Sequence, residues 1–203
     1  MKVYNVRHGE TDWNKDRRLQ GRSDIELNEY GIKLAEFTRD GLKDIKFDYI
    51  FSSPLKRAYK TAEIIRGDRN IPIVTDDRIM EMSFGENEGI PAAEMPPDFQ
   101  LFFDSPLDYV PAKGGETYKE LCARARDFFV SVLQPLSLKD PDANVLLVAH
   151  GAFNKALLVH MGPRDLKDIW KVFPKNCSVN IYDVNGDSVH IYKEDVIFYS
   201  SGQ

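Results

Sequence analysis

Short aliphatic and β-branched runs alternate along this chain with segments whose apolar residues recur at helical spacing. The first run, Val3 to Val6, breaks off in Arg7-His8-Gly9-Glu10, which predicts a buried strand delivering a polar loop at its C-terminal end. Asn28 can cap the next helix, with Ile32, Leu34, Ala35, Phe37 and Leu42 near one face and Gly31 and Gly41 weakening it. A strand is predicted at Tyr49 to Ser52. Pro54 then suits the first turn of a helix running through Ala58, Ala62 and Ile65 towards Gly67. Residues 71–76 read as another short strand.

From 77 to 113 the chain is rich in Pro, Met and acidic residues and shows no clean period, so it is read as a lid-like insertion. A long helix is expected over 116–134, carrying Leu121, Ala125, Phe128, Phe129, Val132 and Leu133, with Pro135 stopping it. The most apolar strand, Val145 to Val148, ends in Ala149-His150-Gly151. Helices at about 152–161 and 164–172 precede two strands, Ser178 to Val184 and His190 to Lys193, joined by Asn185-Gly186, a hairpin-turn signal. The order implies a three-layer α/β sandwich: a mostly parallel central sheet, helices on both faces and an antiparallel edge hairpin. The active site is expected beyond the C-terminal ends of the strands. With 203 residues, 42% of them hydrophobic, one domain over 1–203 is expected, with the insertion inside it.

Composition narrows the partners. A formal charge of -5 with 29% charged residues gives no basic excess to neutralise a nucleic-acid backbone. Cys122 and Cys177 are isolated, without CxxC or Cys/His ligand spacing, which speaks against a zinc site or disulfide framework and suits a reducing, cytoplasmic setting. No apolar run approaches the ~20 residues needed to span a bilayer, and no signal peptide is read at the N-terminus. Neither nucleic acid nor membrane is an expected partner, and oligomeric state is left open. His-x-His, His-Glu-x-x-His and clustered carboxylate ligand sets are all missing from the sequence, so no metal or other cofactor is expected.

Two predicted strands end in a histidine followed by glycine, His8-Gly9 and His150-Gly151. Neighbouring parallel strands present their C-terminal ends on one side, so the imidazoles can meet there. Arg7 stands beside the first histidine, and the strand ending at Ser52-Ser53 feeds the helix bearing Arg57. Guanidinium forks match phosphate oxygens. Phosphoryl transfer needs in-line positioning and charge stabilisation more than elaborate covalent chemistry. A neutral imidazole held in one tautomer can attack phosphorus, and nearby positive charge keeps it unprotonated. The leaving alkoxide then needs a proton, which a carboxylic acid in a partly desolvated place can hold.

The run Val6-Arg7-His8-Gly9-Glu10-Thr11-Asp12-Trp13-Asn14 resembles the signature of the histidine phosphatase superfamily, phosphoglycerate-mutase-like branch. Further blocks follow in order: Gln20-Gly21 with Asp24, Leu27 and Gly31; Ser52 to Ala58 with Thr61-Ala62; Glu81 with Phe84-Gly85 and Glu88-Gly89; Gly114 to Thr117; Val148 to Gly151; and Asn176 to Val179. The resemblance implies a phosphohistidine on His8, with Glu81 as proton donor and later the base that activates water. It implies that Arg7, Arg57 and His150 hold the phosphoryl group, helped by Asn14 and by backbone donors near Gly151. Gln20 and Gly21 would line the substrate entrance. Glu86 and Glu88 are the alternative acids. Asn87 departs from the pattern, standing where many relatives carry a bulky apolar residue. The aromatic residues Phe99, Phe102, Phe103 and Tyr109 are candidates for an apolar lid or for ordinary packing.

The expected activity is metal-independent hydrolysis of a small-molecule phosphate monoester. The alternatives are a phosphoglycerate-type mutase and a non-catalytic phospho-ligand binding relative. Roughly 70 residues separate Glu81 from His150, less than the resemblance implies for glycolytic mutases, whose longer insertion encloses the intermediate and excludes water. That shorter lid favours hydrolysis.

Overall fold

The computed structural model describes residues 1–161, 165–171 and 173–200. Its strands are β1 (Lys2–Arg7), β2 (Tyr49–Ser52), β3 (Ile73–Thr75), β4 (Asn144–Ala149), β5 (Val179–Asn185) and β6 (Ser188–Val196). They form one sheet in the order β3-β2-β4-β1-β5-β6. The first four are mutually parallel, and β5 and β6 add an antiparallel edge. Side-chain alternation divides the sheet between two cores. Val3, Val145, Leu147, Tyr182 and Val184 face one; Tyr4, Val6, Ile50, Leu146, Val148 and Val179 face the other.

The helices are α1 (Asp12–Lys15), α2 (Glu29–Gly41), α3 (Lys56–Arg66), α4 (Leu101–Asp104), α5 (Tyr118–Phe128), α6 (Gln134–Lys139) and α7 (Gly151–Met161). Ala58, Ala62 and Ile65 of α3 cover one face of the sheet, while α5 and α7 cover the other through residues such as Leu121, Phe128, Phe153 and Leu157. The layered α/β architecture is therefore as the sequence predicts.

Several local details differ. Asn28 caps α2 by accepting the Gly31 N–H, but Phe37 is exposed and Thr38 takes the inward position, its hydroxyl donating to the Leu34 carbonyl. Gly31 is there for closeness: a Cβ on it would lie 2.0 Å from the Glu10 carbonyl oxygen, and one on Gly9 would lie 2.6 Å from the Gly31 oxygen. The loop after β1 thus presses directly on α2. Helix α3 starts at Lys56, two residues after Pro54.

Pro135 does not stop the helix that begins at Tyr118. A π turn over Phe129–Leu133 intervenes, in which the Gln134 N–H donates to the Phe129 carbonyl, and α6 then continues to Lys139. Widening the turn resets the hydrogen-bond ladder, so Pro135 falls in a first turn where its missing N–H costs little. No helix spans the expected 164–172 among the described residues. Leu166–Asp168 make a single 3-10 turn, with Ile169 the one fully buried anchor nearby; positions 162–164 and 172 lie outside the described residues.

The segment from 77 to 113 is a chain of 3-10 turns ending around α4. What orders it is an aromatic cluster rather than a period. The Phe102 ring lies 5.1–5.4 Å from the rings of Phe84, Phe99, Tyr109, Tyr118 and Trp170.

Candidate active site

Sheet register brings the two histidines together. Arg7 pairs with Ala149 across β1 and β4, so the next residue on each strand is a histidine, and their ring centroids are 5.2 Å apart. The Ser53 N–H donates to the Val148 carbonyl, which sets β2 and the start of α3 beside the same strand ends. Arg57, in the first turn of α3, is fully buried there.

The loop after β1 leaves His8 little freedom. Its Nδ1 lies 2.7 Å from the Gly9 carbonyl oxygen. A carbonyl only accepts, so Nδ1 carries the proton and Nε2 keeps its lone pair. The His8 carbonyl in turn accepts from Asn176 Nδ2 and the Cys177 N–H. The Gly9 N–H donates to the Thr61 hydroxyl, which donates to the Arg57 carbonyl and ties the loop to α3. Burial, then the charges of Arg57 and Arg7, push the His8 pKa well below its ordinary value of 6.5. His150 is lowered in the same direction, by burial and then by Arg57. His150 is fully buried, and among the described residues neither of its ring nitrogens has a hydrogen-bond partner.

Both arginines are aimed by backbone oxygens. Arg57 donates to the Ser23 carbonyl at 2.7 Å and the Gly21 carbonyl at 2.6 Å. Arg7 donates to the Pro174 carbonyl at 2.6 Å. Burial lowers the pKa of each, Arg57 to about 10; a guanidinium nonetheless keeps its proton in a protein at neutral pH. Asn14 stands at the N3 position of a capping box with Thr11, its Oδ1 taken by Thr11 and Asn176, which leaves the amide nitrogen as the group it can offer. Gln20 is buried, with no partner on Oε1 among the described residues. Gly21 contributes its carbonyl to Arg57.

Glu81 sits at the N-terminus of α7. Its Oε1 accepts the N–H groups of Met82 and Phe153, and its Oε2 accepts that of Ala152. Two backbone donors expected near Gly151 are thus taken up by Glu81. An ideal Cβ on Gly151 would stand 3.7 Å from Glu81 Oε2 and 3.8 Å from Arg7 Nε, so the acid and the arginine flank this glycine. The rival carboxylates are elsewhere. Glu86 is exposed, and Glu88 accepts from the N–H groups of Arg22, Ser23 and Phe84 and from the Ser23 hydroxyl. Glu88 therefore fixes the loop whose carbonyls hold Arg57.

Two further residues escaped the sequence reading. Arg124 donates to the carbonyls of Arg78, Met80 and Glu81, and forks onto both oxygens of Glu116 at 2.6 and 2.8 Å. Both side chains are largely buried. They clamp the turn that carries Glu81. Glu116 lay in a matched block, but nothing in the helical pattern marked Arg124 as more than a solvated position.

Arg7, His8, Asn14, Gln20, Gly21, Arg57, Glu81 and Gly151 line one cavity of about 210 Å³; His150, beside His8 and fully buried, is not among the lining residues. Three guanidinium groups, those of Arg7, Arg57 and, at the rim, Arg18, stand against one carboxylate, which suits a dianion. The far wall is aromatic, with Phe84, Phe102, Phe103, Trp170 and Phe173; Phe99 and Tyr109 are packed behind it, and Asn87 is not among the lining residues.

Known proteins resemble this chain in sequence and in fold. A protein named uncharacterized phosphatase PhoE of Bacillus subtilis is 40% identical over 79% of this chain and 77% of its own length. Phosphoserine phosphatase 1 of Hydrogenobacter thermophilus is 31% identical over 89% and 85%. A 2,3-bisphosphoglycerate-dependent phosphoglycerate mutase of Cytophaga hutchinsonii is 35% identical over 81% and 78%. The solved structure of Bacillus stearothermophilus YhfR superposes with a TM-score of 0.87 at 34% identity, covering 97% of this chain and 98% of that one. Residues 3–194 match the family model for the histidine phosphatase superfamily (branch 1), and the chain belongs to that superfamily.

Proposed function

We propose that this protein is a metal-independent phosphatase that hydrolyses small-molecule phosphate monoesters through a phosphohistidine on His8. The carrying observation is His8 itself: Nδ1 is bonded to the Gly9 carbonyl and the ring is kept neutral between two arginines, so Nε2 is the free nucleophilic atom. Nε2 attacks phosphorus as the bond to the leaving oxygen breaks, and Glu81 gives that oxygen its proton. Arg7, Arg57, the Asn14 amide and a ring nitrogen of His150 stabilise the equatorial oxygens. In the second half, the Glu81 carboxylate takes a proton from water. The water oxygen attacks phosphorus, Nε2 leaves, and inorganic phosphate is released.

The same proposal covers organisation and setting. Residues 1–203 act as one domain in which 77–113 serves as the lid, and Gln20 and Gly21 form the entrance. The arginine charges do the work a metal would otherwise do. Both cysteines are free, which suits a reducing cytoplasm. Relatives carry phosphatase and mutase names alike, so the competing reading is retransfer to a second hydroxyl; the short stretch between Glu81 and His150 favours water as the acceptor.

The test is a panel of phosphate monoesters, including para-nitrophenyl phosphate, phosphoserine and phosphoglycerates, incubated with excess chelator while released phosphate and isomerised product are both measured. Phosphate release that survives chelation and vanishes in His8→Ala is expected. Isomerisation without release would make the protein a mutase, and activity restored only by a divalent ion would sink the metal-free mechanism.

A further inference from the structure

The cavity that holds His8 has two chemically different ends. The leaving-group end is walled by Phe103, Trp170 and Phe173, with Phe102 and Phe84 beneath. Trp170 and Phe173 stack, their centroids 5.6 Å apart and 29° from coplanar, and Phe103 meets each of them at 5.5 and 5.6 Å. The indole Nε1 donates inward to the Tyr118 hydroxyl, so Trp170 has no polar group left to offer the cavity. Phe173 is 62% exposed at the rim and is continuous there with Phe103 and Trp170, so the three rings make one apolar patch rather than a lone exposed side chain. The position of Phe173 is tied to the phosphate end, because the next residue, Pro174, gives its carbonyl to Arg7.

Among the described residues, polar groups suited to a sugar or an amino acid are few here. The only carboxylate lining the cavity, again among the described residues, is Glu81, which the mechanism uses. Arg18 at the rim donates to the Gly89 carbonyl and lies 3.7 Å from Asp16. Gln20, with its buried unpartnered Oε1, can meet one N–H or O–H. A polyol would give up water for little in return, whereas a flat ring gains contact area and edge or face contacts.

We infer that the substrate of this site is a phosphate monoester whose leaving alcohol carries an aromatic ring, seated against Phe103, Trp170 and Phe173, with room for one hydrogen-bonding substituent near Gln20. The inference rests on the phosphatase reading of the same cavity. The ring-bearing alcohol leaves with the Glu81 proton while phosphorus passes to His8, so the chemistry is unchanged and selection lies in binding.

Phenethyl phosphate and glycerol phosphate separate the possibilities, since both release primary alcohols and differ mainly in what surrounds them. The expected kcat/KM ratio favours the phenethyl ester by about 30-fold or more, the order expected from covering one ring. Phe173→Ser, at an exposed rim position, is expected to cut that ratio several-fold, mainly through KM. Calorimetry on His8→Ala provides a readout without turnover, with phenethylphosphonate binding more tightly than methylphosphonate and Phe173→Ser erasing the difference. Equal or reversed preference, or a ratio untouched by Phe173→Ser, overturns the inference while His8-dependent hydrolysis of other esters leaves the phosphatase reading intact. Failure to hydrolyse any monoester while the phosphonate difference persists would instead overturn the phosphatase reading and keep the aromatic site.

Discussion

The two ends of the cavity are built by different means. At the phosphate end each side chain is aimed by the backbone: His8 by the Gly9 carbonyl, Arg57 by those of Gly21 and Ser23, Arg7 by that of Pro174, and Glu81 by three N–H groups. At the other end, ring packs against ring, and little except the Trp170 to Tyr118 hydrogen bond is directional. A phosphoryl group has one shape and charge, so its receptor can be rigid and polar. The leaving group is met by contact area, which other side chains of similar size can supply as well.

That contrast can be broken at its polar end first. Arg57→Lys keeps a charge but cannot hold two carbonyls and a phosphoryl oxygen at once; kcat/KM for any substrate is expected to fall about 10²–10³-fold, measured alongside a melting curve that verifies folding. Gly151→Ala comes next. The added methyl makes only ordinary contacts with Glu81 and Arg7, so the protein should fold, yet the methyl intrudes between the acid and the arginine, and steady-state kinetics should show a loss of about 10²-fold.

The clamp behind Glu81 is a subtler lever. Arg124→Lys retains charge opposite Glu116 but loses the fork that also reaches the carbonyls of Arg78, Met80 and Glu81. A drop in kcat of about tenfold with KM little changed is expected, because the acid and not the binding groups is misplaced. An equal effect on both parameters would reduce Arg124 to a general structural role.

The buried histidines predict an acid-sensitive fold. Both have folded-state pKa values below the ordinary 6.5, so the unfolded chain binds more protons than the folded one as pH falls past 6.5. Stability is then complete above that value and declines below it by up to about 1.4 kcal/mol per pH unit for each histidine. Urea titrations between neutral and mildly acidic pH measure the slope, and His8→Ala should remove about half of this contribution. The smallest effect is expected at the surface of the 77–113 segment: Leu107→Ser, 77% exposed, should change stability by less than about 0.5 kcal/mol.

Much of this was legible in the sequence because backbone order dictates it. Strands ending in His8-Gly9 and His150-Gly151 had to meet if they were parallel neighbours, and their register does bring them side by side. The alternation of apolar runs fixed the layers for the same reason. What escaped depends on three-dimensional packing. The π turn that lets a helix pass Pro135 leaves no mark in apolar spacing. Phe37 and Thr38 exchange inside and outside because close approach at Gly31 governs how α2 sits. Trp170, from a distant stretch read as helix, and Phe173, just beyond it, join the cavity, and only the fold brings them to Phe103. In the sequence Glu81 is preferred to Glu86 and Glu88 only through the Phe84-Gly85 that follow it, whereas in the fold it is the one of the three that lines the cavity.

The central claim is that His8 Nε2 carries the phosphoryl group. The most direct test is to mix the enzyme with a rapidly cleaved phosphate ester, quench with base within the first turnover, and examine the intact protein and its peptides by mass spectrometry. The account predicts one acid-labile, base-stable phosphoryl group on the peptide containing His8, accumulating further in Glu81→Gln when an activated ester is used and disappearing in His8→Ala. Wild-type turnover that continues with no phosphoryl group on His8, or that persists undiminished in His8→Ala, would contradict it.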